Sequence, residues 1–250
     1  MKKSKKLRAL FFAVLLSVVL IALWQMVTWG RASYSQKVLT DEAKDQYPVA
    51  DPNKPEPVNA EDRTKRHAKA QKYNQKQKSV SPMIVQTAEG NHWPTDFPAL
   101  PASLSDAVVI GEISGAEAFL SEDGNSVYSE FTVRIDDVLK NNTALPLAPH
   151  TTLITERKGG RVRYPSGHVS WLFVVGQGMP RVGGKYVLFL KKVDQDFDLL
   201  TAYELRGGKV MPLDYSPGVV HFDRYNGSEI TVFLNDVRDA ISRCSTTSIP

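Results

Sequence analysis

The stretch VYSEFTVRIDDVLK, Val127 to Lys140, decides the fold. Val127, Ser129, Phe131, Val133 and Ile135 face one way if it is extended, and Tyr128, Glu130, Thr132, Arg134 and Asp136 face the other. A period of two sustained over ten residues, rich in Val, Ile, Phe and Thr, predicts a half-buried β-strand. Such a strand needs a sheet to pack against, and its neighbours supply one.

Upstream, AVVIGEI (Ala107–Ile113) is a nearly continuous apolar run, as in a strand buried on both faces, and Gly111 within it points to a bulge or a close backbone approach. Glu122-Asp123-Gly124-Asn125 is turn chemistry that joins this run to the central strand as a hairpin. Downstream, TTLITER (Thr151–Arg157) predicts a third strand. Arg161–Tyr164 and His168–Val175 flank Pro165-Ser166-Gly167 as a further hairpin or a strand-loop-strand. KYVLFLKKV (Lys185–Val193) is apolar on both faces, which predicts a central position. DLLTAYELR and KVMPLD come next, separated by Gly207-Gly208. Closely spaced strands and turns without intervening amphipathic helices predict a mainly β domain, an antiparallel small barrel or sandwich. After Ser228, read as an N-cap, the residues Ile230, Phe233, Leu234, Val237 and Ile241 form one helical stripe. That helix is expected to cap an open end of the barrel.

Working back to the start, MKKSKKLR is a cationic head, and Ala9 to Trp24 carry no charge. Continued to Trp29, the run is about twenty residues long, enough to cross a ~30 Å hydrocarbon core. Its length and the placement of Trp24 and Trp29 fit an uncleaved signal anchor better than a cleaved leader, although Gly30-Arg31-Ala32 offers a weak cleavage site. The lysine cluster keeps the N-terminus cytoplasmic. The expected organisation is head and span over residues 1–30, a polar, Pro-containing stalk over 31–103, an extracytoplasmic β domain over 104–243 and a disordered tail over 244–250. Within the stalk, Glu61 to Lys78 holds seven basic and two acidic residues without proline, and reads as a solvated transient helix.

Charge distribution excludes one class of partner. The chain carries 31 basic and 27 acidic residues, a net charge of +4, but six basic residues lie at or before Arg31 and every acidic residue lies after it. The chain beyond Arg31 therefore holds 25 against 27, a net charge of −2, and nucleic acid is not an expected partner. One cysteine, Cys244, precludes an internal disulfide.

The order VVIGEI, a long strand ending Asp136-Asp137-Val138-Leu139-Lys140, GGKYVLFL and then LLTAYELRGGKV resembles a bacterial secreted or membrane-tethered domain of unknown function. That resemblance covers roughly Leu104 to Leu213. It implies a small barrel of the oligonucleotide/oligosaccharide-binding (OB) type, distantly similar to netrin and tissue-metalloproteinase-inhibitor modules. Those inhibitors reach a protease zinc through an N-terminal cysteine, and no cysteine precedes position 244 here.

No catalytic, cofactor-binding or metal-binding residue is assigned. The histidines at 67, 92, 150, 168 and 221 show no HxH, HxxxH or HExxH spacing. The glycines near Lys158 and Lys185 open strands and do not form a phosphate loop. One cluster mixes cations with aromatics: Arg157, Arg161, Arg163, Tyr164, His168 and Trp171. Arginine forks suit carboxylates and aromatic faces suit sugars, so this cluster is the candidate surface for an acidic or carbohydrate partner in a cell envelope. The function implied is a membrane-anchored, extracytoplasmic binding or scaffolding module. The alternatives are an envelope hydrolase assembled in space around His168 or His221, and a protease inhibitor presenting the loop Gly176 to Gly184.

Overall fold

The computed structural model describes residues 47–74, 86–89, 97–215 and 222–246. By contacts the chain divides into Met1–Lys44 and Asp45–Pro250, and all described residues belong to the second unit. The expected cationic head and span lie outside the described residues. Among the described residues no helix is long and apolar enough to cross a membrane.

The elements run β1 (Val49–Ala50), α1 (Ala60–Lys72), β2 (Gln86–Glu89), β3 (Ala107–Leu120), β4 (Val127–Lys140), β5 (Thr152–Lys158), β6 (Gly160–Arg163), β7 (Val169–Val174), β8 (Lys185–Val193), β9 (Asp196–Arg206), β10 (Lys209–Pro212), a 3-10 turn (Phe222–Tyr225) and α2 (Ile230–Thr246). The protein is mainly β, and every strand read from residue 107 onward is present. The quoted stretch is β4 from end to end, with Phe131, Val133 and Ile135 fully buried and Arg134 exposed.

Strands β3, β4, β5, β9 and β8 hydrogen-bond in that order, and β8 returns to β3, so the five form a closed ring. Every seam is antiparallel except β5 with β9, where Thr155 lies beside Phe197 and Glu156 beside Asp198. Alternation then sorts each strand into an inward and an outward row. Val109 and Ile113 of β3, Val133 of β4, Leu153 of β5, and Leu188 and Leu190 of β8 point inward and are buried. Gly111 sits at a register shift between β3 and β4; a Cβ there would come within 2.7 Å of the Arg134 carbonyl oxygen. That close approach is what the glycine permits.

Two covers wrap the outside, and another closes an end over residues that continue the inward row. First, α2 packs Phe233, Val237 and Ala240 onto Val108, Ile110, Val187, Phe189 and Tyr203, the outward row of β3, β8 and β9. The helix therefore covers a side of the ring and does not plug an end: the residues it meets alternate with the inward ones. It also begins at Ile230, so Ser228 precedes the cap position and its carbonyl instead accepts from Val210 N–H. At its other end it runs to Thr246, so Cys244, expected in a free tail, is half-buried against this cluster. Second, β6 and β7 form a hairpin whose Val162 and Leu172 pack on Ala118 and Val127 at the far end of β3 and β4. β1 adds to it in parallel along β6, and β2 in parallel along β7. Third, α1 lies on the outward row of β4, β5 and β9.

These last elements correct the expected stalk. Along its described part the segment 31–103 is folded onto the body, with Tyr47, Ala50, Ala70 and Ala102 all buried. Its few apolar residues suggested too little burial to order it, but strand addition and ion pairs supply the attachment instead.

Phe233 is the largest buried side chain that α2 brings to the ring. Phe233→Ala is expected to lower unfolding free energy by about 3–5 kcal/mol in urea titration; a loss below about 1 kcal/mol would show that α2 is not part of the cooperative unit.

Candidate functional site

The β6–β7 hairpin gathers five of the six residues expected at the candidate surface. Arg161 pairs across the strands with Trp171, and its guanidinium lies 5.2 Å from the indole centroid. Its Nε also donates to the Tyr47 carbonyl at 2.6 Å, which ties the hairpin to the start of the folded segment. Arg163, two residues on, shares the outward row and is exposed. At the tip, Tyr164 N–H donates to the His168 carbonyl at 2.9 Å, with Gly167 at φ 81° completing the turn. Tyr164 and His168 stack at 6.3 Å and 20° between planes, and both are exposed. The result is a solvent-facing ridge of Arg163, Tyr164 and His168, backed by the Arg161–Trp171 pair.

Arg157 does not belong to this surface. It lies on the inward row of β5, in register with Ser129, and its side chain is 3 % exposed. Both terminal nitrogens donate to Asp214, at 2.8 and 2.7 Å, and further bonds reach the Gly178 and Leu200 carbonyls. Asp214 also accepts from Gly178 N–H at 2.9 Å. This is a bidentate, fully enclosed pair that pins the loop after β7 to the ring. Beside it, burial pushes the Tyr47 phenol up to about 12, with Arg157 opposing that shift. Sequence reading assigned Arg157 to the surface because its partner lies 57 residues away.

The same pair bears on the loop Gly176 to Gly184. Met179 and Pro180 are buried, and Arg181 bonds Glu204 while its N–H donates to the Tyr186 hydroxyl at 3.0 Å. The loop is tied to the body on either side of its exposed tip, Val182-Gly183. Among the described residues, the histidines do not converge: His67 lies 3.7 Å from Glu56, His150 occupies a loop at φ 64°, and His168 stacks on Tyr164. His92 and His221 lie outside the described residues. Among the described residues no group of three or more His, Cys, Asp or Glu is placed to hold a metal ion.

A second polar face was not read from the sequence. Glu130, Glu156 and Asp198 lie side by side on β4, β5 and β9, with Asp196 two residues before Asp198. Over them lies α1. Lys69 Nζ reaches Glu130 at 2.9 Å and Asp196 at 3.1 Å, and Lys72 Nζ reaches Glu156 and Asp198, each at 2.5 Å. Tyr73, the C-cap, stacks on Tyr128 at 4.6 Å and 7°, and the Arg66 guanidinium stands 4.0 Å from the Phe119 ring centroid. Burial pulls both lysines down, but their hydrogen bonds to the carboxylates outweigh it and hold them above their ordinary value. Burial drives Glu156 up, with Lys72 opposing it.

No protein-family model and no curated protein matches the chain. The two faces must therefore be interpreted from their own chemistry.

Both sets of ion pairs can be tested. Asp214→Asn leaves the Arg157 charge enclosed without its counter-ion and is expected to cost about 3–5 kcal/mol of stability, whereas Arg157→Met with Asp214→Leu costs less than the single change. Equal costs in urea titration would contradict an ion pair that matters by its enclosure. Because Lys69 and Lys72 lie above their ordinary 10.5 when folded, their contribution is complete below that pH and is lost as pH rises through the elevated values. Circular dichroism and amide exchange of α1 are expected to hold steady from neutral pH to about 10.5 and to report its release above that; release between about pH 6 and about pH 9 would contradict the assignment.

Proposed function

We propose that the protein is a membrane-anchored, extracytoplasmic binding module built on an OB-like barrel, and that the β6–β7 ridge meets an acidic or carbohydrate ligand of the cell envelope. The observation that carries this reading is the ring itself. Five strands closing in the order β3-β4-β5-β9-β8, with a single parallel seam between the third and the fifth, support a small Greek-key barrel of that kind. Such barrels act as rigid platforms that present a ligand-binding surface.

Charge selects between surfaces. In the OB plan oligonucleotides and sugars are taken on the outer face of the second and third strands, here β4 and β5. That face carries Glu130 and Glu156 and lies under α1, so a phosphate backbone meets carboxylates there. The ridge of Arg163, Tyr164 and His168 offers an exposed guanidinium for a carboxylate or sulfate and solvent-facing aromatic rings for a sugar face, whereas Phe119 and Tyr128 of the other face are buried. Anchorage comes from the uncharged run Ala9 to Trp24 behind a lysine-rich head, a charge order that supports a body outside the cytoplasm.

The test is affinity capture of the full chain from native membranes, together with a panel of neutral and acidic glycans. Arg163→Ala with Tyr164→Ala is the informative variant, since Arg161 also ties down Tyr47 and would confound the result. Loss of about ten-fold or more in capture of an acidic glycan or glycoprotein is expected, equivalent to ~1.4 kcal/mol. An unchanged set of partners discards the ridge as the ligand surface.

A further inference from the structure

We propose that the acidic outer face of β4, β5 and β9 is a docking surface for the lysine- and arginine-rich helix of a partner protein, and that α1 is a resident stand-in which such a helix displaces.

The face is built against its own stability. Like charges directly opposite on neighbouring strands repel, yet Glu130, Glu156 and Asp198 are placed in register on three adjacent strands, and the Glu156 side chain is 2 % exposed. An arrangement of this kind is stable only when a cation is supplied from above. The neighbouring Phe119 and Tyr128 add aromatic surface, which suits the stem and guanidinium of arginine as well as it suits a ring.

The resident helix is held by the kind of contact that exchanges. Within Ala60–Lys72 only Ala70 is buried, whereas α2 buries Phe233 and Val237. The attachment of α1 rests on Lys69 and Lys72, the Arg66–Phe119 contact, a small apolar cluster of Ala70 and Tyr73 with Phe119 and Tyr128, and bonds from Glu122 and Asp123 N–H to the Ala70 carbonyl and the Asn74 side chain. Ionic contacts weaken with salt, most at the partly exposed Lys72–Asp198 pair and less where they are enclosed, and an apolar interface such as that of α2 does not. Moreover, α1 carries support that owes nothing to the face: the Asn59 side chain caps Glu61 N–H at 2.9 Å, and Glu61 pairs with Lys65 one turn on at 2.8 Å. It does not need the face in order to begin its helix.

A further observation points to an occupant other than α1. The Tyr128 hydroxyl is enclosed beneath the helix, on a residue with no exposed surface, and has no hydrogen-bond partner. Burial and the neighbouring Glu130 push its phenol well up, so it remains a donor at every physiological pH. A buried hydroxyl left unpaired costs stability, and α1 brings no acceptor to it. A partner helix that places a carbonyl-bearing side chain such as Gln or Asn among its basic residues satisfies both the carboxylates and this donor. This surface is separate from the β6–β7 ridge, and the inference stands whether or not the ridge binds a ligand.

The experiment uses the full chain and, as probe, a labelled helical peptide with the sequence of residues 59–74. Lys69→Glu with Lys72→Glu in the full chain expels α1 from the face by like-charge repulsion. The peptide is expected to bind this variant at least about ten-fold more tightly than it binds the unaltered protein, because the docked helix lowers the competent fraction. Binding should fall steeply as salt rises from about 0.05 to about 0.5 M, and adding Glu130→Gln and Asp198→Asn should abolish it. Equal binding to both forms, or binding to neither, overturns the proposal. Should the charge-reversed chain fail to fold, hydrogen exchange of the unaltered protein decides the matter. Protection of α1 amides lost at high salt while β4 stays protected supports a displaceable helix, and loss of both together overturns it.

Discussion

Strand β9 is bonded on both sides, antiparallel to β8 and parallel to β5, and this double engagement shapes the rest of the molecule. Once it is made, each of the five ring strands is paired on both sides along part of its length, and the inward side chains from Val109 to Leu199 are enclosed. A closed ring also removes the hydrogen-bonding edges along which β proteins aggregate. The same closure creates an obligation on the outside, since each strand's outward row must be covered or be compatible with water.

The molecule meets that obligation in two chemically different ways, and closes one end of the ring in a third. The row on β3, β8 and β9 is apolar and receives α2, whose Phe233 meets Tyr203 and Tyr225 at 4.9 and 5.2 Å between ring centres. The far end of β3 and β4 receives the β6–β7 hairpin through small and branched apolar residues. The row on β4, β5 and β9 is acidic and receives a basic helix. Apolar contact fixes α2 and the hairpin independently of salt, and the α1 cover joins a small apolar contact of Ala70 and Tyr73 to charge that salt or pH can alter. The body beyond Arg31 carries a small net negative charge, with Arg163 and its neighbours on the ridge and a carboxylate row under α1.

Local pattern was enough to read the strands. Alternation in Val127–Lys140, the apolar run around Gly111 and the glycine-bearing turns correspond to β4, β3 and their connections, because each is dictated by residues within a few positions of one another. What could not be read depends on distance along the chain. Lys69 meets Glu130 across 61 positions, Lys72 meets Asp198 across 126, and Arg157 meets Asp214 across 57. A lysine-rich segment with no apolar stripe therefore read as solvated, and an arginine bordering an exposed hairpin read as exposed. The two-residue β1 has no signature of its own and exists as a strand only because β6 offers an edge to it. The direction in which α2 faces was likewise hidden: its stripe was plain, but which row of the ring it would meet depended on the register of β3 with β8.

The account stands or falls on the closing seam, which nuclear Overhauser contacts across the strands of the isotope-labelled protein can test. Contacts between Thr155 and Phe197 and between Glu156 and Asp198, seen together with those between Leu188 and Ala202, are the predicted result. If β9 shows contacts with β8 and none with β5, the ring is an open sheet, and the division into an enclosed interior and a covered exterior is wrong.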